Sequence, residues 1–243
     1  MAWIRRNILR GADRPQALFA DERRVLQELA AAGFAPRVIY DVGGSNGVWS
    51  EVVSQVVPQA EFYAFEPLAG ILPLYRTELD ARLRRVRKLQ VHPIALADYN
   101  GSSEFFVSQD GWGSSLHDRG DIPEVKERIR VPVFRLDDYA MQKGLPPPDA
   151  IKIDTQGAEA VILKGAENAL KTADVLFLET WLVRGYGPSC PLLGEIMEQL
   201  QPHGFTLTDF GERFYDDRHR LYSVDAFFLS ERMLDRLAQR RQR

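Results

Sequence analysis

Only one cysteine, Cys190, occurs in the 243 residues, so no intramolecular disulfide can staple the fold, and a single thiol fits a reducing compartment. No apolar run approaches the ~18 residues that a membrane-spanning helix needs. The opening Met-Ala-Trp-Ile-Arg-Arg-Asn-Ile-Leu-Arg lacks the apolar core of a secretory signal. A cytoplasmic protein without stable membrane insertion is expected. Net charge is only −3, which argues against a duplex-binding surface, so no nucleic-acid partner is expected. His-Glu-x-x-His and paired Cys/His spacings are missing, which leaves a structural zinc unsupported. Internal repeats and low-complexity tracts are missing too. What remains, 45% hydrophobic and 27% charged, suits one large globular domain with a substantial core. Oligomeric state is not legible.

Two short apolar runs organise the chain: Val38-Ile39-Tyr40-Asp41-Val42-Gly43-Gly44-Ser45-Asn46-Gly47 and Phe62-Tyr63-Ala64-Phe65-Glu66. Each ends in a carboxylate or glycine, as buried parallel strands do. A helix-length segment, Val48 to Val57, lies between them and stops at Pro58, making a β-α-β unit with a glycine turn. Gly43, Gly44 and Gly47 allow that turn and a close backbone approach to a ligand. Free N–H groups at the start of the next helix point to the same place. Glu66, nineteen residues beyond Gly47, ends the second strand, where a carboxylate can accept both hydroxyls of a ribose.

NAD and S-adenosylmethionine compete for such a site. The dinucleotide spacing Gly-x-Gly-x-x-Gly is not present. Asp41, ahead of the turn, would repel a pyrophosphate and attract the ammonium of a methionyl group. S-adenosylmethionine is therefore the expected cofactor, held by Asp41, Gly43, Ser45, Gly47 and Glu66. An NAD-dependent oxidoreductase is the alternative.

Taken in order, residues 1–10 pair Ile4 with Ile8 beside Arg5, Arg6 and Arg10, and read as a docked or frayed terminus. Asp13 to Ala32 reads as a helix with Asp13 as N-cap, Pro15 in its first turn and Gly33 at its end. A helix from about Leu68 to Leu83 is expected next, then a strand from Leu89 to Leu96. The basic run Arg82 to Lys88 reads as cover for a helix end and an edge strand. Asn100-Gly101 signals a hairpin between Ile94-Ala95-Leu96 and Phe105-Phe106-Val107. Residues 108–128 read as a lid, Ile129 to Phe134 as a strand, and Asp137 as the cap of a helix ending at Gly144. Ala150 to Asp154 is a strand followed by one helix, Ala158 to Leu170. Asp174 to Glu179 is a strand and Pro191 to Leu200 a helix. Phe205 to Phe210 and Val224 to Leu229 are strands with no helix between them, so one is expected to run antiparallel. The pattern predicts a doubly wound, mostly parallel seven-stranded α/β sheet.

Ile151-Lys152-Ile153-Asp154-Thr155-Gln156-Gly157-Ala158-Glu159, followed by Val161-Ile162-Leu163-Lys164-Gly165-Ala166, resembles the FkbM family of methyltransferases. Asp41-Val42-Gly43, Tyr63-Ala64-Phe65-Glu66-Pro67, Ala95-Leu96-Ala97-Asp98, Leu136-Asp137-Asp138, Leu178-Glu179, Gly204-Phe205 and Val224-Asp225-Ala226-Phe227-Phe228 stand in that family's order. Ser45 stands where the family usually has Asn, and its hydroxyl can still hydrogen-bond. The resemblance implies a class I, Rossmann-like fold and methyl transfer to an oxygen of a sugar, glycan or natural product. It also implies that Ala95 and Leu96 lie near the adenine. It divides the chain into an N-terminal helical segment (1–35), a methyltransferase domain (36–230) and a C-terminal tail (231–243).

Methyl transfer needs alignment and, for a hydroxyl, removal of a proton. Asp154 and Glu179 each end a neighbouring strand at the carboxyl edge, where open α/β sheets bind ligands. Asp154 is a candidate catalytic group, with helix capping as its other reading; Glu159 reads as a first-turn acid. His117 and His219 are candidate bases, whereas His92 and His203 read as structural. Mg²⁺ between Asp154 and Glu179 would offset their repulsion and acidify a bound hydroxyl. General-base catalysis without metal competes with it. A catalytically silent module that only binds the cofactor is the non-enzymatic alternative.

Overall fold

The computed structural model describes residues 18–69, 71, 73–109, 111–117 and 125–241. The elements run α1 (Ala20–Ala31), β1 (Val38–Val42), α2 (Val48–Ser54), β2 (Glu61–Phe65), α3 (Pro73–Arg85) and β3 (Leu89–His92). Next come β4 (Ala95–Leu96), β5 (Gly101–Ser108), β6 (Val125–Phe134), α4 (Leu136–Lys143) and β7 (Ala150–Ile153). The chain continues through α5 (Glu159–Lys164), α6 (Glu167–Thr172), β8 (Val175–Trp181), α7 (Leu193–Leu200), β9 (Phe205–Tyr215), β10 (Leu221–Ser230) and α8 (Glu231–Arg241).

Seven strands form one sheet in the order β3-β2-β1-β7-β8-β10-β9. Only β10 runs antiparallel to its neighbours, as the missing crossover helix requires. This is the expected doubly wound, mostly parallel sheet of the class I methyltransferase type. Side chains alternate across it. Val38, Tyr40 and Val42 enter one core with Ile151, Ile153, Leu176 and Leu178, covered by α5, α6 and α7. Ile39, Phe62, Ala64 and Phe177 enter the other, where Leu26 of α1, Trp49 of α2 and Met233 of α8 meet them. Fully burying one such aliphatic or aromatic side chain contributes roughly 1.5–3 kcal/mol. Beside the large sheet stands a second, three-stranded one in the order β4-β6-β5, which the sequence pattern does not reveal.

Several boundaries depart from expectation. Residues 1–10, Asp13 and Pro15, on which the N-terminal expectations fell, lie outside the described residues. The described helix starts at Ala20, because Phe19 sits in the left-handed region at φ 52°. The helix expected from Leu68 starts at Pro73, since the Glu66 side chain accepts the Leu68 N–H and holds a turn there. Leu89 to Leu96 is two strands, β3 in the large sheet and β4 in the small one, parted at Pro93, which has no N–H for a ladder. Asn100-Gly101 does not close a hairpin: β4 and β5 both pair with β6, on opposite sides. Asn100 is instead tied to α4, accepting the Arg135 N–H at 2.9 Å and donating to Asp138 at 2.7 Å.

Asp137 does not cap its own helix. Its carboxylate takes the N–H groups of Asn168 and Ala169 at 2.8 and 3.0 Å, capping α6. The single helix expected over 158–170 is two, broken at Gly165, where any Cβ would collide with the Ala97 carbonyl. β6 begins at Val125 inside the expected lid, and β9 and β10 extend through most of the polar segment expected to separate them. The basic run is absorbed as expected: Arg82 and Arg85 pair with Glu51 at 3.1 and 2.8 Å, beside edge strand β3.

Candidate active site

The carboxyl ends of β1, β2 and β7 open on a cavity of about 840 Å³, mouth included. Its floor is the turn after β1. Gly43 takes φ +76°, and a Cβ there would run into the Asp154 carbonyl; at Gly44 it would press on Ala64 at 2.9 Å. These two glycines thus let the turn nest against β2 and β7. Gly47, at φ +81°, is the left-handed residue that starts α2. Ser45 is itself left-handed at φ 49°.

Glu66 lines the cavity at the end of β2. One of its oxygens accepts the Ser45 N–H at 3.0 Å and the other the Leu68 N–H at 2.8 Å. Burial raises its carboxyl to about 7, against the relief those two donors supply. The Ser45 hydroxyl also faces this space and is buried with no hydrogen-bond partner among the described residues. Ala95 and Leu96 line the wall, with Ile94 and Phe105. Trp112 and Leu116, from the segment read as a lid, add to the apolar lining together with Phe19, which the sequence did not lead one to expect.

Asp41 departs from its expected position. It is fully buried, on the sheet face that carries α2, and is not among the residues lining the cavity. The Ser50 hydroxyl donates to it at 2.7 Å and the Lys152 ammonium lies 3.2 Å away. Lys152 stands directly across from Asp41 in the β1–β7 pairing and also donates to the Gly43 carbonyl at 3.0 Å. Burial alone would lower the Lys152 ammonium, but Asp41 and Asp154 together raise it. Asp41 thus acts on the turn through Lys152. A lysine inside an otherwise apolar, buried strand was the available signal for this pair.

Asp154 lines the cavity, with its side chain 40% exposed and one oxygen 3.6 Å from Lys152. Glu179 lies within β8, which runs on through Thr180 to Trp181 rather than ending at this acid as expected, and it follows the Ile153–Leu178 pair just as Asp154 does. The position between the two acids is taken by an amide: Gln156 Nε2 donates to Asp154 at 3.0 Å and to Glu179 at 2.7 Å. The Mg²⁺ expectation gains no support from this arrangement, since each acid faces an amide donor. Among the described residues no group of three or more His, Cys, Asp or Glu is disposed to hold a metal. Burial, and then Asp154 beside it, hold the Glu179 carboxyl well above the usual range.

Glu159 accepts the Thr155 N–H, the Thr155 hydroxyl and the Gly157 N–H at 3.0–3.1 Å, so it braces the loop after β7. His117 borders the site: its ring packs on Gly157, Nδ1 lies 3.0 Å from the Ser189 hydroxyl, and burial lowers its pKa. The structure does not bring His219 to the site. It lies exposed in the β9–β10 turn, where its N–H donates to the Asp216 carbonyl. His92 is structural, stacked on Phe65 and 3.1 Å from the Tyr139 hydroxyl.

The family model for the FkbM methyltransferase domain matches residues 41–207. The chain is 26% identical over 155 residues to the 2-O-methyltransferase NoeI of Sinorhizobium fredii, covering 58% of this chain and 62% of NoeI. It is 28% identical over 227 residues to the AMB antimetabolite synthetase AmbE of Pseudomonas aeruginosa, covering 77% of this chain and 10% of AmbE. It thus spans less than two thirds of either curated relative. A solved FkbM methyltransferase from Methylobacillus flagellatus superposes with a TM-score of 0.48 and 18% identity, over 80% of this chain and 43% of that one. No helix among the described residues is long and apolar enough to cross a membrane. With more than half of its length under that family model, the chain belongs to the FkbM family of methyltransferases.

Proposed function

We propose that the protein is a cytoplasmic, S-adenosylmethionine-dependent O-methyltransferase acting on a hydroxyl of a sugar, glycan or natural product. The observation that carries the cofactor reading is the pairing of Glu66 with the unpartnered Ser45 hydroxyl at one cavity end. The carboxylate is preset by two backbone N–H groups and retains lone pairs for ribose hydroxyls. The Ser45 hydroxyl meets the methionyl polar groups, and Ala95 and Leu96 offer the apolar wall an adenine needs. When bound, S-adenosylmethionine supplies an electrophilic methyl group. The chain's own part is to orient the acceptor, exclude water and take its proton. Asp154 lines the cavity and is the carboxylate placed to accept that proton. Oxygen as the target agrees with the name of the relative NoeI.

Calorimetry with S-adenosylmethionine tests the reading directly. Saturable binding, weakened in Glu66→Ala and Ser45→Ala, is the expected result, and NADH is expected not to bind. Mass spectrometry of metabolites from cells with and without the gene then identifies the acceptor by a one-methyl shift. Cofactor binding with no S-adenosylhomocysteine formed on any acceptor would favour the silent module instead.

A further inference from the structure

The loop Thr155-Gln156-Gly157 carries a conformational oddity. Gln156 takes φ +59°, a left-handed backbone that a residue with a Cβ seldom adopts without a compensating role. Glu159 pins the residues on either side of it. Held this way, the Gln156 side chain reaches across the carboxyl edge of the sheet. Both Nε2 hydrogens are used, one on Asp154 Oδ1 at 3.0 Å and one on Glu179 Oε2 at 2.7 Å. Its Oε1 accepts the Tyr186 hydroxyl, and its backbone carbonyl accepts the Ser115 hydroxyl at 2.8 Å. Turned about, the amide would aim its oxygen at two carboxylates and its donors at a phenol already donating. One orientation therefore satisfies the set.

We propose that Gln156 is a positioning residue: its amide holds the Asp154 side chain aimed into the cavity, ready for the acceptor's proton. The proposal rests on the methyltransferase reading above. Without the amide, Asp154 after β7 and Glu179 within β8 lose the donor between them. Burial and Asp154 already hold the Glu179 carboxyl well above the usual range, and losing a donor that favours the ionised forms raises the pair's hold on its proton further. A proton parked on Asp154 would disable it as a base. Gln156 thus links Asp154 to the Tyr186 loop through its amide and to the Ser115 segment through its backbone carbonyl. The charged groups facing this pair are Lys152 on β7, Glu159 on α5 and Asp225 on β10. In Gln156 variants those neighbours are unchanged, so an altered titration reports the amide.

The test needs no acceptor. Side-chain carboxyl carbons are followed by ¹³C NMR across pH in the full-length chain, with Asp154→Asn and Glu179→Gln assigning the resonances. In Gln156→Leu the pair is expected to hold a proton to a pH at least one unit higher than in wild type, about a tenfold rise in proton affinity. Tyr186→Phe, which leaves both carboxylate bonds in place, is expected to leave the pair's titration unmoved. Gln156→Glu keeps the shape of the side chain but donates only when protonated, so it should add a titrating step to the pair. An unchanged titration in folded Gln156→Leu would overturn the proposal. So would loss of folding in both Gln156 variants, which would assign the residue to fold maintenance alone. S-adenosylmethionine affinity, measured alongside, is expected to stay within about twofold of wild type, since Glu66 is untouched. Absence of cofactor binding in wild type would overturn the functional reading while leaving the carboxylate measurement intact.

Discussion

At the β1–β2 end of the cavity, Glu66 is held by backbone: the Leu68 N–H two residues on and the Ser45 N–H twenty-one residues back. At the β7–β8 end, Asp154 and Glu179 are held by side chains. Gln156 bridges them, Tyr186 braces Gln156 from thirty residues away, and Ser115 from forty-one. A backbone donor exists at nearly every position, so a carboxylate meeting one depends mainly on the local turn. A side-chain bridge requires several loops to arrive together with the right residues. The first end is therefore set by a motif and the second by the assembled fold. Lys152 joins them, 3.2 Å from Asp41 and 3.6 Å from Asp154.

Breaking that link should have the largest effect. Lys152→Met leaves Asp41 buried without its cation, and removing one partner of a buried pair costs about 3–5 kcal/mol. Denaturant unfolding measures it; a loss below about 1 kcal/mol would show that Ser50 alone sustains Asp41. Glu66→Gln addresses the first end in isolation. It exchanges a charged acceptor for a neutral amide, which should weaken S-adenosylmethionine roughly 10- to 100-fold by calorimetry. An effect this large from Gln156→Leu instead would invert the division between the two ends.

Acidity sharpens the comparison further. Burial raises Glu22, Glu66 and Glu159 from 4.5 to about 7. Between those values the folded chain keeps protons that the unfolded chain has released, so stability falls as pH rises through the window. The cofactor-free protein is expected to melt several degrees higher at pH 5 than at pH 7.5. Cofactor affinity should move oppositely, strengthening as Glu66 ionises near pH 7. Parallel pH trends in melting and affinity would show that Glu66 is not the group that matters. The smallest effect belongs outside both ends. Asp137→Ala removes the cap of α6 and should cost about 1 kcal/mol, with cofactor affinity unchanged.

Corrections to the sequence reading fall along the same line. Glu66 and Ser45 were legible because strand periodicity and a glycine turn locate them without knowledge of distant contacts, whereas Ala95 and Leu96 came only from the family resemblance. Asp41 was legible as a buried-strand acid, but its direction was not, since Lys152 claims it only once β1 and β7 lie side by side. Asp137 reads locally as a cap; the helix it caps lies some thirty residues on and reaches it only through packing. Asn100-Gly101 carries a strong turn signal, yet β6 inserts between the strands it joins.

The amino-acid sequence by itself determined which segments are strands, that they alternate with helices, and that a ligand turn follows the first of them. Hydrophobic period and turn chemistry are short-range properties, readable within a dozen residues. Only the tertiary structure decided how the charges are spent. Asp41 is neutralised beneath the turn, and Glu66 is left lining the cavity. Asp154 and Glu179 meet across an amide, because a buried polar group takes whatever counter-charge or donor the fold brings within about 3 Å.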